Sequence, residues 1–234
     1  MAPNIIELWQ GNSLADDSHY VANWNVLDEA EKIQARRFTQ PTHHKEYVSI
    51  HAQVRSLLAK IVNQAPEHIN IKRSLQGKPY LVEYPNIAFN LSHTHEYFLL
   101  AISENCNLGV DIEYCKSRPN MEGLVNKCFA ITERDYWYTF SQQDQLSVFY
   151  EFWTRKEAFV KATGDGIVLG LEQCVIDVNN PKCFMSIPKQ CGNATDWFIH
   201  DVDVAKNYCA ALVLDQPITD IRLSYTGNFK HNLR

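Results

Sequence analysis

Asp111 and Glu113 stand two residues apart in Gly109-Val-Asp-Ile-Glu113, and Glu157 and Lys161 stand four apart further along the chain. In a β-strand side chains alternate between faces, so the first pair shares one face at a spacing of roughly 7 Å. In an α-helix, positions four apart are neighbours on one face. Three carboxylates suit Mg²⁺, a hard ion that takes a few protein oxygens and keeps positions for phosphate and water. A lysine one turn from the third carboxylate would then meet phosphate oxygens on that ion, which is the equipment of a reaction on a diphosphate. Each pair also has a plainer reading. Asp111 and Glu113 fit the wet face of an edge strand, and Glu157 with Lys161 fits a solvated helix pair. A further segment, Asn90-Leu-Ser-His-Thr94, ends an apolar run with Ser92, His93 and Thr94. All three are able to donate hydrogen bonds to phosphate, or His93 reads as an ordinary loop histidine. No Walker or GxGxxG loop accompanies them, which argues against a P-loop or Rossmann nucleotide site.

The elements that must hold these residues follow from periodicity and caps. Residues 4–9 read as a strand. Residues 28–38 read as a helix with Asp28-Glu29 first and Arg36-Arg37 last, the charge order that suits the helix dipole. Pro41 opens a second helix, and strands follow at 69–73, 87–91 and 97–103 with a turn at Gln76-Gly77-Lys78-Pro79. After the Asp111 strand come helical runs near 120–129, 132–140 and 143–163, the last stopped by Gly164 in a left-handed cap. Strands at 174–178, 197–204, 208–214 and 218–225 complete the chain. The order strand, helices, strands thus occurs twice, and SHTHEYFLLAIS resembles DVAKNYCAALVL. The expected fold class is α+β, a pseudo-twofold pair of similar α+β subdomains over 1–108 and 109–234; one mixed α+β domain accounts for the pattern almost as well.

Composition bounds the function classes. The 234 residues are 45% hydrophobic and 21% charged, with 22 Lys and Arg against 27 Asp and Glu and a net charge of −5. No basic block points to nucleic acid and no basic amphipathic stretch to a membrane surface. The start, MAPNIIELWQGN, has no charged segment leading into an apolar core, and no run approaches a membrane span. Seven cysteines form no CxxC pair and show no zinc-ligand spacing, which reads as thiols in a reducing cytoplasm.

Taken together and in order, QGKP, FNLSHT, GVDIE and WTRKEAFVKATG resemble the 4′-phosphopantetheinyl transferases of the Sfp type. The likeness is concentrated in residues 76–166 and extends more loosely to EKIQARRF and to the β-rich tail. It implies transfer of the phosphopantetheine arm of coenzyme A to a serine of an apo acyl or peptidyl carrier protein, releasing adenosine 3′,5′-bisphosphate. It also implies a monomer with coenzyme A in the cleft between two similar halves. Carried over by position, Asp111, Glu113 and Glu157 are Mg²⁺ ligands and Lys161 holds the diphosphate. Lys78 and Pro79, with Ser92, His93 and Thr94, line the nucleotide and phosphate site, and Lys156 adds charge there. CFAITERD matches the family's Phe-x-x-x-Glu element, making Glu133 the candidate base for the serine proton; it reads equally as the first-turn glutamate of a helix capped by Thr132. Gly109 would let substrate approach the strand.

One departure stands out. Family members carry arginines for the 3′-phosphate after the RRF element, whereas this chain has THHKEYVSIH, with Glu46 and His51 there. Lys45, His44 and Arg37 are the available substitutes. A coenzyme A-binding or carrier-binding protein without catalysis, and a different Mg²⁺-dependent phosphotransferase, are the competing readings. The complete set of carboxylates disfavours the first, and the missing phosphate loop disfavours the second.

Overall fold

One unit is used twice: a strand, a long helix, a two-stranded ribbon and a strand pair. The computed structural model describes residues 5–13, 17–104 and 106–226. The first unit runs β1 (Ile5–Asn12), short helices α1 (Tyr20–Val26) and α2 (Glu29–Ala35), α3 (Pro41–Val62), the ribbon β2 (Ile71–Arg73) and β3 (Pro79–Leu81), then β4 (Ile87–Thr94) and β5 (Tyr97–Glu104). The second runs β6 (Leu108–Tyr114), α4 (Met121–Cys128), α5 (Ile131–Tyr138), α6 (Gln142–Thr163), the ribbon β7 (Val175–Ile176) and β8 (Phe184–Ser186), then β9 (Phe198–Asp201) and β10 (Tyr208–Leu214). The sheets repeat the order, β1-β5-β4 and β6-β10-β9. Both α3 and α6 are 22 residues long, and each ends on a left-handed residue, Asn63 at φ 53° and Gly164 at φ 78°. Left-handed His95 and Asn207 stand just before β5 and β10. The likeness between the two quoted segments is therefore structural: they hold the corresponding strands β5 and β10 with the turns that lead into them.

Local signals explain the main boundaries. Asp28 accepts the Glu31 N–H and Glu31 reaches back to the Asp28 N–H, a capping box that starts α2. Pro41 occupies the first turn of α3, and Ser141 caps α6. Three elements carry no such signal. Helix α1 has no buried residue to make a periodic stripe, and β3 and β8 are each three residues long. The last strand, β11 (Asp220–Tyr225), pairs parallel with β1. A cut between 108 and 109 therefore does not separate the two sheets, because the first sheet includes residues from the end of the second unit.

The sheets pack face to face. Ile6, Leu8, Leu99 and Ala101 of one meet Leu108, Val110, Ile112, Ala210 and Leu212 of the other. Helix α3 covers the outer face of the first sheet with Ile50, Val54 and Leu58, and α6 covers the outer face of the second with Ala158, Phe159 and Ala162. The edges of β4 and β6 also meet, but through side chains: the Val110 N–H donates to Asn90 Oδ1 at 2.9 Å and the Ile112 N–H to Ser92 Oγ at 3.3 Å. Strand β6 thus has both faces and this edge covered, so Asp111 does not lie on a wet strand face.

Gly109 is where α6 comes closest. A methyl group there would fall 2.1 Å from the Ala158 carbonyl oxygen and 2.4 Å from the Ala162 nitrogen. The space expected for substrate is filled by helix backbone. Gly109→Ala is expected to destabilise the fold by roughly 2–3 kcal/mol, since backbone cannot yield as a side-chain tip does. Urea denaturation would show this as a lower midpoint at unchanged slope.

Candidate active site

Asp111 is the centre of the cluster. It is 5% exposed, and its two oxygens have different surroundings. Oδ1 accepts from Lys161 Nζ at 2.7 Å and from Ser92 Oγ at 2.9 Å. Oδ2 is buried with no hydrogen-bond partner, a costly state unless another group completes it. Lys161 does not pair with Glu157 along its helix; it crosses to β6 and β4, where it also donates to Ser92 Oγ at 2.8 Å. The Ser92 hydroxyl is consequently fully used, donating to Asp111 and accepting from Lys161 and the Ile112 N–H. It orients the carboxylate and has no donor left for phosphate.

The other two carboxylates lie close enough to feel Asp111. Burial, then Asp111, pushes Glu113 above its ordinary value, against the pull of Arg118. Glu157 is pushed up to about 6 by burial, then by Asp111 and Glu113, with Lys161 opposing. Neighbouring acids held above their normal range in this way are a common sign of a functional site. Among the described residues no three His, Cys, Asp or Glu side chains are already gathered around a point fit for a metal ion. The donor chemistry nonetheless fits a hard dication: every available ligand is a carboxylate, one oxygen is buried and orphaned, and the three acids repel one another.

His93 sits exposed at the rim on β4, its pKa lowered by the packing around its ring and then by His51 and Lys161. Thr94, half-buried, is 3.4 Å from the His95 ring. Pro79 opens β3 opposite Arg73. Lys78 points to main-chain carbonyls of Leu108 and Ala162. Of the substitutes for the missing arginines, His44 has both ring nitrogens engaged, by Tyr20 and the Ala35 carbonyl, and Arg37 bonds Gln34. His51 is held by Glu31 at 3.0 Å.

Two expectations need correcting. Glu133 and Lys156 form a buried ion pair at 2.5 Å, both side chains 0% exposed. Lys156 Nζ also donates to the Cys128 and Leu171 carbonyls, while Glu133 accepts the N–H groups of Ala130 and Ile176. Glu133 is the first-turn glutamate of α5, reaching back to Ala130 and not to Thr132. A carboxylate that already accepts three hydrogen bonds inside the core is not placed to take a proton from a macromolecular substrate, and the Lys156 ammonium is spent on core partners. The pair staples α6 to the end of α4, the start of α5 and the 171–176 segment.

Two residues at the site were not anticipated. Asn90 supplies the β4–β6 link, and the FNLSHT motif that contains it was the available signal. Arg118 lies 3.6 Å from Glu113, its guanidinium over the rings of Tyr150 and Trp153 and its Nε donating to the Tyr150 hydroxyl. No motif in the sequence marked Arg118.

Comparison with known proteins converges on one family. Residues 107–213 match the model described as the 4′-phosphopantetheinyl transferase superfamily. Residues 12–105 match the one described as 4′-phosphopantetheinyl transferase, N-terminal. The Synechocystis sp. protein slr0495, whose name assigns it provisionally to the 4′-phosphopantetheinyl transferases, is 30% identical over 174 residues, 74% of this chain and 70% of that one. The 4′-phosphopantetheinyl transferase HetI of Nostoc sp. is 30% identical over 145 residues, 61% of either chain. The human L-aminoadipate-semialdehyde dehydrogenase-phosphopantetheinyl transferase is 30% identical over 182 residues, 72% of this chain and 58% of that protein. The chain therefore spans well over half, but under two thirds, of the latter two relatives. Matched by both family models in chain order, and aligned with a 30% identical relative over most of both lengths, the chain belongs to the 4′-phosphopantetheinyl transferase superfamily and is a transferase of that class.

Proposed function

We propose that this transferase moves the 4′-phosphopantetheine arm of coenzyme A onto a serine of an apo carrier protein in a Mg²⁺-dependent reaction. A bond forms between the serine oxygen and the phosphorus attached to pantetheine. The phosphorus–oxygen bond to the nucleotide half of the diphosphate breaks, the serine proton passes to solvent water, and adenosine 3′,5′-bisphosphate leaves. The observation that carries this reading is the divided environment of Asp111, with one oxygen tied to Lys161 and Ser92 and the other buried and unpartnered. Asp111, Glu113 and Glu157 would hold the ion. Bound there, Mg²⁺ would neutralise charge on the diphosphate and polarise the bond under attack.

The chain's own residues then have definite tasks. Ser92 fixes the rotamer of Asp111. Lys161 already stands at the carboxylate and offers its remaining donor to a diphosphate oxygen, stabilising charge that grows on the leaving group. His93 and Thr94, at the rim, add donors for the phosphates. The family resemblance supports a cytoplasmic monomer serving acyl or peptidyl carriers, and no helix among the described residues is long and apolar enough to cross a membrane. The direct test incubates the protein with apo carrier proteins, coenzyme A and Mg²⁺ and weighs each carrier. A mass gain of one phosphopantetheine arm is expected; none across a panel of carriers sinks the reading.

The raised carboxylates also predict how the metal-free protein responds to pH. Glu157 binds its proton more tightly when folded than when unfolded, since its folded pKa is about 6. Its contribution to stability is present below the ordinary carboxylate pKa and lost as pH rises through about 6. Without metal, the melting temperature is expected to fall over that window, by an amount worth up to roughly 2 kcal/mol. Added Mg²⁺ should raise it more at pH 7 than at pH 5, and Glu157→Gln should flatten the profile. A metal-free melting curve indifferent to pH between 4.5 and 6.5 would count against this picture of the cluster.

A further inference from the structure

Lys78 follows a turn that leaves its backbone little freedom. Gly77 takes φ +92°, the Ser74 N–H donates to the Lys78 carbonyl at 2.9 Å, and the Lys78 N–H returns to Ser74 Oγ at 3.1 Å. Arg73 closes the turn by donating to the Gly77 carbonyl. From this anchored start the side chain leaves the first unit and enters the second. Its ammonium donates to the Ala162 carbonyl at 2.6 Å and to the Leu108 carbonyl at 3.1 Å. Ala162 lies in the last turn of α6, where carbonyls have no partner within the helix and a cation meets the negative end of the helix dipole. Leu108 begins β6. The lysine stem lies against the cap residue, so that a Cβ added to Gly164 would come 3.1 Å from Lys78 Cδ. Burial lowers the ammonium to about 8, against the pull of Asp215, the desolvation such a placement demands.

We infer that Lys78 is a positioning residue: it clips the start of the strand bearing Asp111 to the end of the helix bearing Lys161, from the opposite half of the molecule. Its ammonium is spent on two carbonyls, one of them next in sequence to Lys161, and is not directed at a bound nucleotide. Tied at both ends, β6 and α6 keep the register in which Lys161 reaches Asp111. The clip also explains why the Gln76-Gly77-Lys78-Pro79 turn belongs with the catalytic motifs although it lies on a separate ribbon. The inference deepens the proposed transfer reaction and rests on it for the meaning of turnover.

The test compares Lys78→Met, which keeps the stem and removes the charge, with Lys78→Arg, which keeps charge and donors. Three quantities are read: steady-state transfer, calorimetric affinity for adenosine 3′,5′-bisphosphate, and amide exchange across residues 160–166. For Lys78→Met, kcat is expected to fall by roughly tenfold or more, the equivalent of one charge-assisted hydrogen bond. Affinity for the bisphosphate should stay within about threefold, less than the loss of a direct ionic contact. Exchange across 160–166 should accelerate, whereas Lys161→Met should leave exchange there unchanged. Lys78→Arg should restore amide protection and most of kcat. A tenfold or greater loss of bisphosphate affinity with exchange unchanged would overturn the inference and make Lys78 a direct ligand. Unchanged kcat in Lys78→Met would overturn it as well. If Lys78→Met does not fold, Lys78→Arg decides alone: native protection with retained bisphosphate affinity supports the clip, and native protection with lost affinity overturns it. Failure of the wild-type protein to transfer at all would sink the proposed function while leaving the exchange and affinity readouts to judge Lys78.

Discussion

Lys156→Met is expected to cost roughly 3–5 kcal/mol of folding stability, because it leaves the Glu133 carboxylate charged, buried and without its cation. Glu133 is 1% exposed. Glu133→Gln should also destabilise, stranding the Lys156 ammonium between two carbonyls that cannot neutralise it. The Glu133→Gln/Lys156→Met double variant should lose less than the sum of the two, by about 1 kcal/mol or more, since removing both charges removes the worst term. Urea titration of the four proteins measures this coupling. A catalytic Glu133 makes the opposite forecast: Glu133→Gln would abolish transfer at an unchanged denaturation midpoint. That result would return Glu133 to the role its motif first implied.

Asp111→Asn is expected to lower transfer by roughly a thousandfold or more, a loss typical of removing a charge-stabilising group from a preorganised site. The substitution keeps shape and keeps an oxygen for Lys161 and Ser92, so the fold should survive. It also removes one of the charges that hold Glu157 near pH 6. The metal-free variant should therefore melt no lower than the parent at neutral pH, while the Mg²⁺-dependent rise in melting temperature disappears. Near-normal turnover at limiting Mg²⁺ would mean that the ion is held elsewhere. The contrast with Lys156 separates two kinds of buried charge, one on β6 and one on α6. One variant should lose stability and the other chemistry.

The chain's local patterns carried much of this arrangement. Strand alternation put Asp111 and Glu113 on one face and helical spacing put Glu157 and Lys161 on another, and both placements stand. The charge order at Asp28, the proline at 41 and the cap at Gly164 marked helix ends because they act within a few residues of themselves. What escaped was every contact between distant segments. Lys78 meets Ala162, and Lys156 meets Glu133; a periodic pattern has no information on such pairs. Lys78 and Lys156 were carried over to the phosphate site by position in the family motifs, although a buried ammonium has to be satisfied by whatever oxygens surround it. Gly109 was misread for the same reason. Its missing side chain was visible, but the neighbour it admits, the backbone of α6, lies some fifty residues further along. Ser92 shows the reverse case: its type was right for a phosphate donor, and three competing partners had already claimed it.

The pairing of β11 with β1 has a bearing on how the molecule comes into being. As the chain leaves the ribosome, β1, β5 and β4 are available early, yet one edge of β1 must wait for residues near the far end of the sequence. Ile6 and Leu8, both in the buried seam between the sheets, would sit in a three-stranded sheet with an open rim throughout that interval. Pairings across nearly the whole chain are the slowest to form, and an open strand edge is a template for unwanted association. The first half is thus the earlier to be made and the later to be finished, with its completion deferred until the site-bearing half has already been synthesised.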